Sequence, residues 1–237
     1  MSLYRDQGIV LRTYKLGEAD RIVVFCTRGH GKVRAVAKGV RKTRSRFGGR
    51  LEPTSHVQLQ LHRGRSELDI VTQTESVDQF RTVREDLDRL GKAMAMLEAV
   101  DRVGVDREPD GALYRMLLGG LRALDAGDSA LVVPAFYLKL LAHDGVGPEV
   151  GVCALCGADS DLVTFDYGSG GVLCRNCRRG SPLSPNALEL MRMVLGGSLS
   201  AALAEPPSPA TGEVEHLATT AIEYHLERRL RASNAYS

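Results

Sequence analysis

The sequence predicts an α+β protein of more than one domain: a small five-stranded β-barrel, then a helical domain with an inserted four-cysteine zinc ribbon. Three observations lead to this fold class. The first third has short β-branched runs between turn residues, the remainder is helical in its apolar spacing, and two Cys-x-x-Cys pairs fall inside the helical part. We expect the barrel over residues 1–80 and the helical domain over 81–237, with the ribbon at about 150–181.

Five strands are expected in the first domain. The run VQLQLH alternates apolar and polar residues, KVRAVAK does so approximately, and residues 27–31 and 63–66 have the composition of hairpin connections. An oligonucleotide-binding (OB) barrel is the economical choice, because it has five strands and binds single strands on one face and its loops. The strands are placed near residues 8–15, 20–27, 31–38, 57–63 and 66–75.

Positive charge is concentrated in this domain, although the net charge of the chain is only +2. Residues 1–80 hold 15 Lys and Arg against 8 Asp and Glu, whereas the remainder holds 16 against 21. The segment from residue 28 to 50 has no acidic residue at all. Its nine cations, the candidate nucleic-acid-binding residues, are Arg28, Lys32, Arg34, Lys38, Arg41, Lys42, Arg44, Arg46 and Arg50.

These cations favour a polyanionic ligand, since Lys and Arg neutralise phosphates and release condensed counterions. Most lie in the connection between the third and fourth strands, GVRKTRSRFGGRLEP, whose glycines predict flexibility. The alternative is a solvated basic loop that adds only solubility. Phe47, inside this connection, is a candidate either for base stacking or for anchoring the loop to the core.

After Phe80 the apolar residues recur at helical spacing. One helix with a single apolar face is predicted from Val83, Leu87, Leu90, Met94, Leu97 and Val100. Further helices are expected near 110–125 and 130–143, and another from Pro185, capped by Ser184, to the glycines at 196 and 197. The segment EPPSPATG predicts a linker before a last helix, EVEHLATTAIEYHLERRLRAS, whose final turns hold Arg228, Arg229 and Arg231.

Two Cys-x-x-Cys pairs, separated by seventeen residues, predict one zinc site on Cys153, Cys156, Cys174 and Cys177. The intervening LVTFDYGSGGVLC reads as a strand, a turn and a strand, which makes a ribbon hairpin. Four cysteines close the tetrahedral shell and favour a structural over a catalytic metal. Redox pairs or disulfides remain alternatives for the same residues. The fifth cysteine, Cys26, is expected to be a buried apolar side chain.

Other classes of protein are less compatible with the sequence. The N-terminus lacks the features of a signal peptide, no apolar stretch is long enough to span a membrane, and the odd cysteine count argues against a secreted scaffold. We expect a cytoplasmic protein. Phosphate-loop, metalloprotease and serine-hydrolase motifs are absent. Glu18 and Asp20 could be paired carboxylates for a nuclease metal, but a capped turn is the simpler interpretation.

Three stretches follow one another in an order known from one family. They are GIVLRTYKLGEADRIVVFCT with GKVRAVAKGVRKTRSRFGGRLEP, then FYLKLLAHDGVGPEVGVCALCG, and finally YHLERRLRAS. This order, together with the cysteine quartet, resembles the bacterial recombination mediator family RecO over nearly the whole chain. The matching positions of the basic segment are Lys38, Gly39, Arg41, Lys42, Ser45 and Arg46.

The resemblance implies an OB barrel, a helical domain and a zinc module acting in DNA repair and recombination. Family members bind single- and double-stranded DNA and anneal complementary strands. They act with RecR and single-stranded-DNA-binding protein, and indirectly with the recombinase. For this chain the resemblance implies DNA as the ligand of the matching basic segment, and we therefore predict DNA contacts for all nine cations. It also implies one structural zinc ion, a nucleoid-associated location, and no enzymatic activity.

Two other functions remain open from the residues alone. One is a zinc-ribbon nucleic-acid module in transcription or RNA handling, which would share the basic barrel and the ribbon. The other is a metal-dependent nuclease, which requires acidic residues clustered on one face.

Overall fold

The computed structural model of the protein describes residues 2–64, 67–227 and 229–230. Arg65 and Ser66 of the expected fourth-to-fifth strand connection, and Arg228 and Arg231 of the expected last helix, lie outside the described residues. The chain divides into two compact units, one within residues 1–126 and the other within 127–234.

The first unit contains a closed five-stranded barrel in the order β1-β2-β3-β5-β4, as the sequence predicts. Neighbouring strands are antiparallel except β3 and β5, which are parallel, and this order is that of an OB barrel. The strands are β1 (Leu3–Leu16), β2 (Asp20–Thr27), β3 (Gly31–Ala37), β4 (His56–His62) and β5 (Asp69–Asp78).

The first strand is longer than expected because it pairs on two sides. Its first half, from Leu3 to Ile9, pairs with β4, and its second half, from Gly8 to Leu16, pairs with β2. A bulge between Val10 and Arg12 lies near this change of partner. Bulges increase the local twist of a strand. The bulge therefore helps one strand to serve both sides of a small barrel.

All five strands contribute to the barrel interior, and along β2, β3 and β4 the core residues alternate, as the two-residue period of a strand requires. Two side chains from the β3–β4 connection complete this core, Phe47 and Leu51, the second within a short 3₁₀ turn at Gly48–Leu51. The strand residues of the core are Val10, Val23, Phe25, Val33, Ala35, Ala37, Val57, Leu59, Leu61 and Val71.

Three helices follow the barrel within the same unit: α1 (Arg81–Glu85), α2 (Leu87–Val103) and α3 (Gly111–Ala126). The change from strands to helices falls at residue 80, but these three helices belong to the same compact unit as the barrel. Helix α2 packs on β1 and α3 on β2. On the outer barrel face Leu11, Val24 and Cys26 are buried as a result, which confirms Cys26 as an apolar filler.

The prediction of a single helix after Phe80 is wrong, because two helices, α1 and α2, occupy this segment. Asp86 has extended backbone angles and accepts a hydrogen bond from the Arg89 N–H, so it ends α1 and caps a new helix. The break shifts the helical register, and Leu87, placed on the apolar face by its spacing, is 86% exposed. The buried face of α2 instead includes Ala93, Met96, Leu97 and Val100.

Within its described residues the second unit contains four helices and a small sheet of order β7-β6-β8. Helices α4, α5 and α7 pack on one another, and α6 packs on α5. None of the described helices has the length and apolarity needed to cross a membrane. The elements are α4 (Val132–His143), β6 (Leu162–Asp166), β7 (Gly171–Cys174), β8 (Ser181–Pro182), α5 (Pro185–Leu195), α6 (Leu199–Ala204) and α7 (Pro209–His225).

Capping residues fix two of these helices. Ser184 caps α5 by accepting the Ala187 N–H, as expected. Helix α7 starts earlier than predicted, because Ser208 and Thr211 form a reciprocal capping box and Pro209 occupies the first turn. The expected linker over 205–212 is therefore wrong in its second half. Helix α6 was not expected from the sequence.

Candidate nucleic-acid interface and metal centre

The β3–β4 connection, residues 38–55, is called the basic loop. It carries most of the nine candidate cations, and their side chains differ in environment. Lys32, Arg34 and Arg50 are half-buried, whereas the other six are exposed: Arg28, Lys38, Arg41, Lys42, Arg44 and Arg46. The structure thus places five exposed cations within nine residues of one loop.

Hydrogen bonds fasten the start of the basic loop to the turn between β1 and β2. The Arg41 guanidinium donates to the carbonyl oxygens of Gly17 and Glu18, at 3.3 and 2.9 Å. The Gly39 N–H donates to Asp20 Oδ1 at 2.7 Å. Asp20 is therefore a turn-capping residue. The Arg41 side chain likewise has a structural role, in addition to the positive charge that it contributes to the loop.

The end of the basic loop is fastened separately. Arg84 of α1 donates to Thr54 Oγ1, to the Pro53 carbonyl and to Ser55 Oγ, at 2.6–3.1 Å. Arg21 of β2 pairs with Glu52 at 2.7 Å. Both ends of the loop are held, so its exposed cations project from a fixed frame.

Two of the nine cations have acidic partners from distant parts of the chain. Lys32 Nζ lies 3.5 Å from Asp106 and donates to the Asp101 carbonyl at 2.8 Å. Arg34 lies 3.9 Å from Glu67. The lack of acidic residues within 28–50 gave no sign of these pairs, because the carboxylates come from beyond β4.

Phe47 anchors the loop and is not an exposed stacking surface. Its side chain is 1% exposed and belongs to the barrel core. The Arg46 guanidinium lies 4.8 Å from the centre of its ring. The core interpretation of Phe47 is confirmed.

Truncation of Phe47 should therefore act on stability and not on ligand binding. We expect Phe47→Ala to lower the free energy of unfolding by about 3–5 kcal/mol, as for other buried aromatic side chains. Urea denaturation measures this loss. Phe47→Leu, which retains most of the apolar volume, is the control and should lose less. Unchanged stability in Phe47→Ala would contradict the buried position.

Arg12 is a cation on the barrel that the sequence did not single out. Its Nε lies 2.6 Å from Asp101 Oδ2, its guanidinium lies 4.7 Å from the Tyr14 ring centre, and its side chain is 47% exposed. Alternation along β1 could have placed it on the outer face only if the bulge after Val10 had been foreseen.

The four paired cysteines converge on one point of the second unit. Their sulfur atoms all lie within 4.8 Å of one another, and those of Cys156 and Cys174 are 3.7 Å apart. Zn–S bonds of about 2.3 Å place the sulfurs of a regular tetrahedron about 3.8 Å apart. A disulfide requires about 2.05 Å. The geometry therefore fits a four-coordinate zinc ion.

Backbone hydrogen bonds shape the two knuckles. The Gly157 N–H donates to the Cys153 carbonyl at 2.8 Å, and Gly157 has a positive φ of 76° that glycine adopts without strain. The Cys177 N–H donates to the Cys174 carbonyl at 3.0 Å. The Ala154 N–H donates to Val172 of β7, which joins the first knuckle to the hairpin. The ribbon predicted from the spacing is confirmed.

The thiols perturb one another strongly. Backbone N–H groups, first that of Cys174, lower the pKa of the Cys153 thiol to about 6. Hydrogen bonds with the thiols of Cys156 and Cys174 raise the pKa of Cys177 to about 12. Four thiolates at this spacing repel one another, and a divalent cation at their centre removes that repulsion. The donor set therefore suits a metal. Within the described residues it is also the one group of three or more His, Cys, Asp or Glu side chains arranged to hold a metal.

Two protein-family models match the chain. The model described as the N terminal of recombination protein O matches residues 1–80, and the model of its C terminal matches residues 84–234. The boundary between the two matches lies where β5 gives way to α1.

Proposed function

This chain belongs to the recombination protein O (RecO) family, which acts in DNA repair and recombination, and from that premise we propose that it is a recombination mediator. It binds single- and double-stranded DNA, anneals complementary strands, and assists loading of the recombinase onto DNA coated with single-stranded-DNA-binding protein. The observation that carries this proposal is the cluster of exposed cations on a loop fastened at both ends to a closed OB-type barrel.

The exposed cations of the basic loop suit phosphate binding because few acidic side chains among the described residues neutralise their charge. No carboxylate of the described chain lies within ion-pair distance of Lys38, Lys42, Arg44 or Arg46, whereas Lys32 and Arg34 are already paired. Unpaired exposed cations bind phosphates without first breaking an ion pair. We therefore assign the strongest DNA contacts to the exposed cations of the basic loop in the 1–80 domain, and weaker ones to the half-buried Lys32, Arg34 and Arg50.

Annealing follows from charge neutralisation. Two DNA strands repel each other through their phosphates, and a basic surface that binds both lowers this repulsion while the bases remain free to pair. Each phosphate contact on a single strand contributes about −0.7 to the logarithmic salt slope. A strand that contacts all six exposed cations would therefore show a slope of about −4.

We assign one structural zinc ion to Cys153, Cys156, Cys174 and Cys177. Four sulfur ligands leave no coordination position for water or substrate, so the metal stabilises the ribbon and supplies no catalysis. We accordingly propose that the protein is a DNA-binding mediator and not an enzyme. Its proposed partners are RecR and single-stranded-DNA-binding protein, with an indirect effect on the recombinase, and its proposed location is the cytoplasm at the nucleoid.

The test is annealing of complementary strands that are already coated with single-stranded-DNA-binding protein, with no nucleotide added. We expect the protein to accelerate duplex formation over the rate without it. Tight binding without acceleration would contradict the mediator proposal and favour a general nucleic-acid module. Shortened strands in the presence of Mg²⁺ would instead indicate a nuclease.

A further inference from the structure

Arg192 lies in the last turn of α5 and connects that helix to the residues that precede the first cysteine knuckle. Its Nε donates to the Val150 carbonyl at 2.9 Å, and its Nη2 donates to the Gly151 carbonyl at 3.3 Å. A cation near a helix C-terminus is commonly a surface charge that offsets the helix dipole. Here the guanidinium also satisfies two backbone carbonyls that lie 42 and 41 residues earlier in the chain.

The approach segment, residues 149–152, is fastened to the ribbon hairpin as well. The Glu149 N–H donates to the Gly170 carbonyl, and the Glu149 carbonyl accepts from the Val172 N–H, both at 2.9 Å. The Glu149 carboxylate accepts two N–H groups of the same segment, at 2.7 and 3.3 Å. The approach segment is therefore held between the hairpin on one side and α5 on the other.

Cys153, the first cysteine of the quartet, lies between two fixed points of the backbone. Before it, the approach segment contacts the hairpin closely, and Gly171 permits this contact because a Cβ atom there would overlap the Glu149 carbonyl oxygen. After it, the Ala154 N–H donates to the Val172 carbonyl at 2.9 Å. Cys153 itself is 2% exposed. The position of its sulfur is therefore set by the backbone on either side of it.

We propose that Arg192 is a positioning residue for zinc. Through the Val150 and Gly151 carbonyls it holds the approach segment so that Cys153 meets the other three cysteines at metal-binding distance. The inference rests on the zinc ion assigned under the proposed function, which it deepens by adding a residue from outside the ribbon. A ligand that is already in place loses less conformational freedom when the ion binds, and preorganisation raises affinity for this reason.

The positive charge of Arg192 acts in the same direction. Zn²⁺ with four thiolates carries a net negative charge, which a nearby cation stabilises. Helix α5 packs on α4 and α7, so the two hydrogen bonds of Arg192 join the metal centre to the helices of the second unit. Zinc binding and the position of α5 are thereby coupled, and such coupling is reciprocal.

The experiment measures the zinc dissociation constant of the full chain, as wild type and as Arg192→Gln, by competition with a chelator of known affinity. We expect the variant to bind one zinc ion about 10–100-fold more weakly, as is typical when a group that orients a metal ligand is replaced. Arg192→Lys keeps the charge but lacks the planar pair of donors, so its affinity should lie between the two. Arg89→Gln is the matched control, because Arg89 of α2 also donates to a backbone carbonyl, that of Leu124 at 3.0 Å. The control should bind zinc like the wild type.

A second measurement separates positioning from support of α5. Metal-free wild type and metal-free Arg192→Gln should lose their helical circular dichroism at the same temperature, because the carbonyls that Arg192 contacts belong to a ribbon whose order depends on zinc. A metal-free variant that unfolds earlier would show that Arg192 supports helix packing, and would overturn the inference. Equal zinc affinity of Arg192→Gln and wild type would overturn it too, as would the same loss of affinity in Arg89→Gln. Purified wild type without zinc would overturn the zinc assignment itself, and that result is known before any variant is compared.

Discussion

Reversing the charge of Lys42 and Arg44 together, as Lys42→Glu with Arg44→Glu, is expected to weaken binding of single- and double-stranded DNA by about a hundredfold at physiological salt. Both side chains are exposed in the basic loop, and neither forms an ion pair or a side-chain hydrogen bond with another described residue. The variant should therefore keep the stability of the wild type. Fluorescence anisotropy with labelled DNA measures the affinity, and thermal unfolding confirms the fold.

Salt titration adds a second readout to this experiment. Neutral replacements, Lys42→Gln with Arg44→Gln, remove two phosphate contacts without adding repulsion. They should make the logarithmic salt slope shallower by about 2 on duplex DNA. An unchanged slope with lower affinity would mean that these residues act through the shape of the loop and not through phosphate contact.

Arg41 is a poorer choice for this test, although the sequence makes it equivalent to Lys42. Its guanidinium holds the β1–β2 turn through the carbonyl groups of Gly17 and Glu18. Charge reversal there would place a carboxylate against two carbonyl oxygens and release the loop. A loss of binding in that variant would mix two causes.

A matched control separates local contact from net charge. Arg115→Glu with Arg178→Glu changes the net charge by the same amount at exposed positions of α3 and of the cysteine ribbon. We expect this variant to bind DNA nearly as well as the wild type. A loss equal to that of the loop variant would contradict a defined binding surface on the barrel.

Much of the barrel could be predicted because its signals are local. Alternation in VQLQLH and the glycine at position 31 are properties of neighbouring residues, and they located β2, β3 and β4 to within one residue at each end. The start of β1 was missed because Leu3 to Ile9 form a strand only by pairing with β4, about fifty residues away. Pairing at that distance leaves little trace in a short polar segment such as LYRDQ.

The interface was harder to predict than the fold because its energetics depend on distant partners. A run of nine cations identified the basic loop, yet Lys32 hydrogen-bonds to the carbonyl of Asp101, which lies 69 residues along the chain. Likewise Phe47 sits among charged and glycine residues that suggest exposure, but the loop folds it into the barrel.

The cysteine centre was predictable for the opposite reason, since each knuckle supplies two ligands within four residues and the hairpin between them brings the knuckles together.

This geometry leads to the second large prediction. Cys174→Ser with Cys177→Ser should remove one zinc ion per chain, measured by metal analysis of the purified protein. Structural zinc in small isolated modules binds with about 10–16 kcal/mol, far more than the few hydrogen bonds that otherwise close the hairpin.

Loss of this metal should unfold the ribbon and leave the barrel intact. Hydrogen exchange in β6 and β7 is expected to become fast, while exchange in β2 and β3 stays slow, because the described residues of the barrel core all belong to the first unit. Cys26→Ala, which alters the one cysteine outside the cluster, is the control and should retain a full zinc equivalent. Wild-type protein that carries no zinc, with mass spectrometry showing the four cysteines oxidised in pairs, would replace the metal site by disulfides. Wild-type protein with zinc whose ribbon stays protected in the double variant would show that the hairpin folds without it, and the metal would then need another role.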